Sequence, residues 1–129
     1  MRTIGNILLV VFLAALAYVV LVPKHGSGRA PIAAAQADIK GGIKSALDQY
    51  KMDTGFYPKV SNGLVELLQQ PAATTNWHGP YLDKPPVDPW GKKYFYEFPG
   101  KHNTNGYDLF SAGPDGKAGT GDDIVNWAK

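Results

Sequence analysis

The chain has 129 residues, 13 Lys and Arg against 11 Asp and Glu, and no cysteine. That length fits one domain with an appendage, and the cysteine count excludes disulfides, thiolate metal sites and a cysteine nucleophile. Arg2, Lys24 and Arg29 precede Ala30 without an acidic counterpart, whereas ten lysines face eleven acidic residues from Ala30 onward, so no basic cluster marks the body for nucleic acid.

Residues 4–22 are apolar apart from Gly5, Asn6 and Tyr18, and Pro23-Lys24 ends the run. As a helix this stretch would reach about 28 Å, close to the thickness of a hydrocarbon core. Ala33-Ala34-Ala35 offers an A-x-A cleavage site, but it lies far beyond the apolar run. A retained single-pass anchor is therefore expected over a cleaved signal peptide. Residues 1–29 are read as anchor and linker, and residues 30–129 as the globular domain.

Pro31 suits a first helical position. Ile32, Ala35, Ile39, Ile43, Ala46, Leu47 and Tyr50 then form a helical stripe, with Asp38, Lys40, Lys44, Asp48 and Lys51 on the other faces. Gly41-Gly42 weakens the middle by about 1 kcal/mol per glycine. Gly55 and Pro58 supply a left-handed stop and a breaker. Residues 63–70 read as a short helix capped by Ser61 or Asn62 and ended by Pro71. Residues 71–91 are a proline-rich loop, in which Asp88-Pro89-Trp90-Gly91 has the order of a tight turn. Residues 93–98 and 107–111 read as antiparallel strands, and a third short strand is expected at 124–127. One helix laid over a small meander is an α+β arrangement.

Between the last two strands, Gly113-Pro114-Asp115-Gly116-Lys117-Ala118-Gly119-Thr120-Gly121-Asp122-Asp123-Ile124 packs three carboxylates and four glycines into twelve residues. Carboxylates this dense repel one another, and glycine allows the backbone to fold back with positive φ. Two readings stand. One is a loop wrapped around a hard cation, calcium rather than magnesium because carbonyl-rich flexible loops suit the larger ion. The other is a plain solvated turn, since Asp-Gly and Gly-Thr-Gly are ordinary turn sequences. The spacing is not that of an EF-hand. A small domain without disulfides needs another staple, which favours the ion.

His25, His78 and His102 are scattered, and no nucleophile elbow, P-loop or HExxH is present, so neither catalysis nor a small-molecule substrate is expected. Trp77, Tyr81, Trp90, Tyr94 and Tyr96 supply either the core or an aromatic platform for carbohydrate or peptide.

Several stretches together resemble a known family. They are Ala46-Leu47-Asp48-Gln49-Tyr50-Lys51-Met52-Asp53-Thr54-Gly55-Phe56-Tyr57-Pro58, Asn62-Gly63-Leu64 and Trp77-His78-Gly79-Pro80-Tyr81-Leu82. Pro86-Val87-Asp88-Pro89-Trp90-Gly91-Lys92-Lys93-Tyr94, Tyr107-Asp108-Leu109-Phe110-Ser111-Ala112-Gly113-Pro114-Asp115-Gly116 and Gly119-Thr120-Gly121-Asp122-Asp123-Ile124 complete the set. Over some 90 residues of this sequence the chain resembles the major pseudopilin of type II secretion systems. The resemblance implies a type IV pilin-like α+β fold, a long N-terminal helix, apolar and then amphipathic, packed on three antiparallel strands. It also implies calcium in the last loop, with Asp115, Asp122 and Asp123 as side-chain ligands and backbone carbonyls near Ala112, Lys117 and Thr120. The implied protein is a non-catalytic subunit anchored by one span in the bacterial inner membrane, its globular domain in the periplasm. It would polymerise with further copies, meet other pseudopilins and an inner-membrane assembly platform, and help to push folded proteins through an outer-membrane secretin.

The resemblance stops at the N terminus. The family carries Gly-Phe-Thr-Leu-x-Glu, whose Glu pairs with a neighbouring subunit's amino terminus. Here Gly5 is followed by Asn6-Ile7-Leu8-Leu9-Val10, and no acidic residue precedes Asp38. A carboxylate in lipid is costly and marks function, so its absence removes that charge pair. The alternative is an anchored extracytoplasmic binding module that uses the same domain without forming a filament.

Overall fold

The structure, a computed structural model, describes residues 28–59 and 63–129. The expected anchor at 4–22 and the expected caps Ser61 and Asn62 lie outside the described residues. Among the described residues, no helix is long and apolar enough to cross a membrane.

A helical rod opens the described chain: α1 (Arg29–Ala37), a wider π turn (Asp38–Gly42) and α2 (Ile43–Thr54). Pro31 falls inside the first turn, where its missing N–H removes no helical bond. The apolar stripe faces the core as its period demands: Ala35, Ile39, Ile43, Ala46, Leu47 and Tyr50 are buried, and Ile32 packs against them. At Gly41-Gly42 the helix widens rather than breaks. A Cβ at either glycine would meet nothing within 4 Å, so crowding does not demand them. Their weak hold on α geometry is what allows the π turn. Gly55 ends α2 at φ 90°, its N–H donating to the Lys51 carbonyl at 2.8 Å.

The expected helix at 63–70 is instead a 3₁₀ turn, Gly63–Leu67. Pro71 has no N–H to donate to the Leu67 carbonyl, which takes the N–H groups of Tyr81 at 2.7 Å and Leu82 at 3.3 Å. The Glu66 carbonyl goes to the Trp77 indole at 2.7 Å. The proline-rich loop thus consumes the acceptors that a longer helix would need.

The sheet is antiparallel in the order β1 (Phe95–Glu97), β2 (Asp108–Ser111), β3 (Ile124–Val125), with Tyr96 opposite Leu109 and Ser111 opposite Ile124. Its strands are shorter than the expected 93–98 and 124–127. Lys93 makes only an isolated bridge to Val87. After Val125, the Asn126 N–H still donates to the Leu109 carbonyl at 3.1 Å, while its side chain accepts the Leu109 N–H at 3.0 Å and donates to the Tyr107 carbonyl at 3.0 Å. Tyr96, Leu109 and Ile124 turn inward against the helix stripe; Phe95 stacks on Phe110 on the outer face, with ring centres 4.8 Å apart.

The five rings weighed as core or platform go to the core. Tyr94 and Tyr96 are buried, and Trp77, Tyr81 and Trp90 pack against the same cluster. Their hydroxyls tie the layers together. Tyr94 donates to Asp38 of the π turn at 2.6 Å, Tyr81 to Asp53 at 2.7 Å, and Tyr96 to the Pro58 carbonyl at 2.7 Å. Tyr50 donates to Glu66 at 2.6 Å, and burial, reinforced by that carboxylate, pushes its hydroxyl up to about 12. Burial raises Tyr94 and Tyr96 as well. These hydroxyls are protonated donors at neutral pH, and among the described residues no buried side-chain polar atom lacks a partner.

Candidate metal centre

The site begins where β2 ends. Asp88, 3% exposed, closes the Asp88-Pro89-Trp90-Gly91 turn, its carbonyl accepting the Gly91 N–H at 2.9 Å. One carboxylate oxygen accepts the N–H groups of Trp90 at 3.1 Å and Lys92 at 2.8 Å. The other accepts the Ser111 hydroxyl at 2.6 Å, and Ser111 Oγ in turn accepts the Gly113 N–H at 3.0 Å. A motif in one loop thereby fixes the first residue of another. Ala112, buried, lies between.

Gly113 has φ 71°, and a Cβ there would sit 2.4 Å from the Asp122 carbonyl oxygen. Only glycine permits that backbone conformation together with so close an approach. The contact closes the loop: residues 113 and 122 touch, and the eight positions between them curl back through Gly116 and Gly119 at φ 67° and 84°.

Inside the loop, Asp115, Asp122 and Asp123 each bring one carboxylate oxygen within 4.8 Å of the others. Asp115 is exposed, Asp122 half-buried and Asp123 buried. The Thr120 hydroxyl stands among them, 2.8 Å from Asp115 Oδ2, 2.6 Å from Asp122 Oδ1, 3.3 Å from Asp123 Oδ1 and 3.0 Å from the Lys117 carbonyl. One hydroxyl carries one proton, so it satisfies one of these acceptors at a time. Backbone donors orient the remaining oxygens: Lys117 N–H to Asp115 Oδ1 at 2.8 Å, Gly119 N–H to Asp123 Oδ2 at 2.7 Å, and Asp115 N–H to Asp122 Oδ2 at 3.1 Å. The Thr120 hydroxyl, followed by the Asp115 N–H, holds the Asp122 carboxyl below its usual range, against a smaller opposing effect of burial.

The donor set is all oxygen and largely anionic, on a glycine-curled loop whose ends a Cβ would force apart. It fits a hard divalent cation and suits calcium better than a smaller, stricter ion. The loop brings the three expected aspartates together. The Lys117 carbonyl faces the same point, whereas the Thr120 carbonyl accepts the Asp123 N–H at 3.3 Å. The sequence reading passed over three groups: the Thr120 hydroxyl, the Asp88–Ser111 bond that fixes the loop entrance, and Lys129. The first two lie inside motifs already conspicuous in the sequence; nothing local marks the third.

A second buried carboxylate organises the turn before β2. Asp108, 2% exposed, accepts the N–H groups of Lys101, His102 and Asn103, each at 2.9 Å, and the His102 ring at 2.9 Å. The His102 ring also stacks on Trp127, with centres 3.9 Å apart.

The family model for Type II secretion system (T2SS), protein G, matches residues 24–127. The chain is 41% identical over 134 aligned residues to the type II secretion system core protein G of Pseudomonas aeruginosa, covering 97% of this chain and 92% of the relative. It is 47% identical over 90 residues to that of Escherichia coli K12, covering 66% of this chain but 60% of that longer relative. Among solved structures, the major pseudopilin of the type 2 secretion system of enterohaemorrhagic E. coli aligns with a TM-score of 0.66 and 35% identity, over 77% of this chain and 88% of that one. A helical rod on a three-stranded antiparallel sheet, matched in sequence along nearly its whole length, settles the kinship: the chain belongs to the protein G family of type II secretion systems, the major pseudopilins.

Proposed function

We propose that this chain is a structural, non-catalytic subunit of a type II secretion pseudopilus, pinned by calcium in its C-terminal loop. The observation that carries this reading is the convergence of Asp115, Asp122 and Asp123 at the point where the two ends of the loop meet the sheet, in a chain of this family. Those side chains would hold the ion together with carbonyls of Ala112, Lys117 and Thr120. The ion would neutralise carboxylates that otherwise repel one another and would staple the exit of β2 to the start of β3. Residues 1–29 serve as anchor and linker, residues 4–22 crossing the inner membrane once and leaving residues 30–129 in the periplasm. Further copies form the homopolymer, with other pseudopilins and the inner-membrane assembly platform as partners. Residues 4–22 carry no carboxylate, and association along the rod would rest on apolar packing.

Thermal unfolding of the full chain in detergent tests the calcium. At a free concentration near 100 times Kd, calcium is expected to add about 2.7 kcal/mol to the folded state. Asp115→Ala and Asp122→Ala are expected to abolish that gain, whereas Asp83→Ala in the exposed proline-rich loop keeps it. Identical melts in calcium and in chelator would remove the ion from the proposal. Electron microscopy of the full chain reports separately on assembly: filaments are expected, and monomers at every concentration would leave the fold standing without the polymer.

A further inference from the structure

We infer that Lys129 is a positioning residue for the cation loop, its ammonium clasping the limb that carries Asp122 and Asp123; the inference rests on the calcium reading above. Lys129 Nζ donates to the Gly121 carbonyl at 3.0 Å and to the Asp123 carbonyl at 2.6 Å. Those two carbonyls bracket the Asp122-Asp123 pair. The carboxylates of this adjacent pair both reach the Thr120 hydroxyl. Pinning the peptide planes on either side of the pair from one ammonium restricts the dihedrals that bring the two carboxylates round to one point.

Packing fixes Asp122 against Gly113 but leaves the outer side of the limb open. A Cβ at Gly121 would meet nothing within 4 Å. Behind the limb lies a cleft of about 340 Å³, lined by Ile32, Gln36 and Lys40 of the rod and by Lys129 itself. Hydrogen bonds must hold what packing leaves loose, and bonds from an ammonium are the stronger kind. The ammonium also spares the ligands. Among the described residues Lys129 makes no ion pair with a carboxylate, so it grips the outer side of the loop without competing for the oxygens facing inward. A nearby positive charge by itself would repel a divalent cation, and salt screens so close a charge only in part; the clasp requires the ordering of the loop to outweigh that repulsion. The two effects have opposite signs, which makes the inference testable.

The experiment is calcium titration by calorimetry on the full chain in detergent, for wild type, Lys129→Ala and Lys129→Arg, paired with amide hydrogen exchange of residues 119–124 in chelator. Lys129→Ala is expected to weaken calcium binding about tenfold, as befits the loss of charge-assisted hydrogen bonds, and to speed exchange across 119–124. Lys129→Arg, which keeps a charged donor, is expected to stay within about threefold of wild type. Lys129→Ala binding calcium as tightly as wild type, or more tightly, overturns the clasp. A wild type that takes up no calcium sinks the calcium reading itself, a different result visible before any variant is compared. Unchanged exchange in chelator then disposes of the clasp independently.

Discussion

Asp88→Ala is expected to lower the unfolding free energy by about 3 kcal/mol, a large share of the 5–15 kcal/mol typical of a domain this size. The substitution removes the carboxylate that three donors share, the part-buried Trp90 and Lys92 N–H groups and the fully buried Ser111 hydroxyl. Stranded donors cost more than the hydrogen bonds themselves contribute. Ser111 also holds the Gly113 N–H, so the loop entrance loosens with the turn, and calcium binding is expected to weaken in the same variant. Urea unfolding followed by circular dichroism, with and without calcium, measures both effects. If Asp88→Ala unfolds within 0.5 kcal/mol of wild type, by the scale of ordinary surface substitutions, the turn is held by its Pro and Gly alone.

Asp108→Ala is expected to cost a similar amount, about 3 kcal/mol, and to change the pH dependence of stability. Burial alone would raise the Asp108 carboxyl, but the N–H groups of Asn103 and His102, the His102 ring and the Lys101 N–H outweigh it and hold the group below its ordinary 3.8. The unfolded chain therefore takes up this proton first as acid is added. The stabilisation is complete above the unfolded value and disappears as pH falls through the lower, folded value. Wild type should lose stability steeply below about pH 4, and Asp108→Asn should flatten that acid limb while costing less than Ala, because its amide oxygen still accepts part of the set. Urea midpoints measured from pH 3 to pH 7 decide it; parallel acid limbs in wild type and Asp108→Asn would assign the acid sensitivity to other carboxylates. Replacing Gly100 would disturb the same turn, since a Cβ there would meet Asp108 Oδ1 at 2.5 Å.

Much of the fold was legible in the order of residues. The stripe from Ile32 to Tyr50 carries a helical period, and all its members but the half-buried Ile32 are buried. Gly55 as a left-handed stop needs nothing beyond its own backbone freedom. The carboxylate-rich, glycine-rich run at 113–123 announced a loop that folds on itself, because no other structure suits that composition. The motifs shared with the major pseudopilins carry the family in the sequence alone.

What stayed hidden involves partners far apart along the chain. The 3₁₀ turn at Gly63–Leu67 stops short because carbonyls of Glu66 and Leu67 are claimed by residues 77, 81 and 82. Past β3 the Asn126 side chain bonds residues 107 and 109 beside its own backbone bond to Leu109. Tyr94 reaches Asp38 across 56 positions, Asp88 reaches Ser111 across 23, and Lys129 returns to a limb six to eight residues behind it. Periodicity, backbone freedom and turn chemistry act over a few neighbouring residues, so the sequence by itself determined the elements, their inward faces and the composition of the loop at 113–123. Which carboxylate meets which donor is decided only when the rod, the proline-rich loop and the sheet come within hydrogen-bonding distance, and that choice belongs to the tertiary structure.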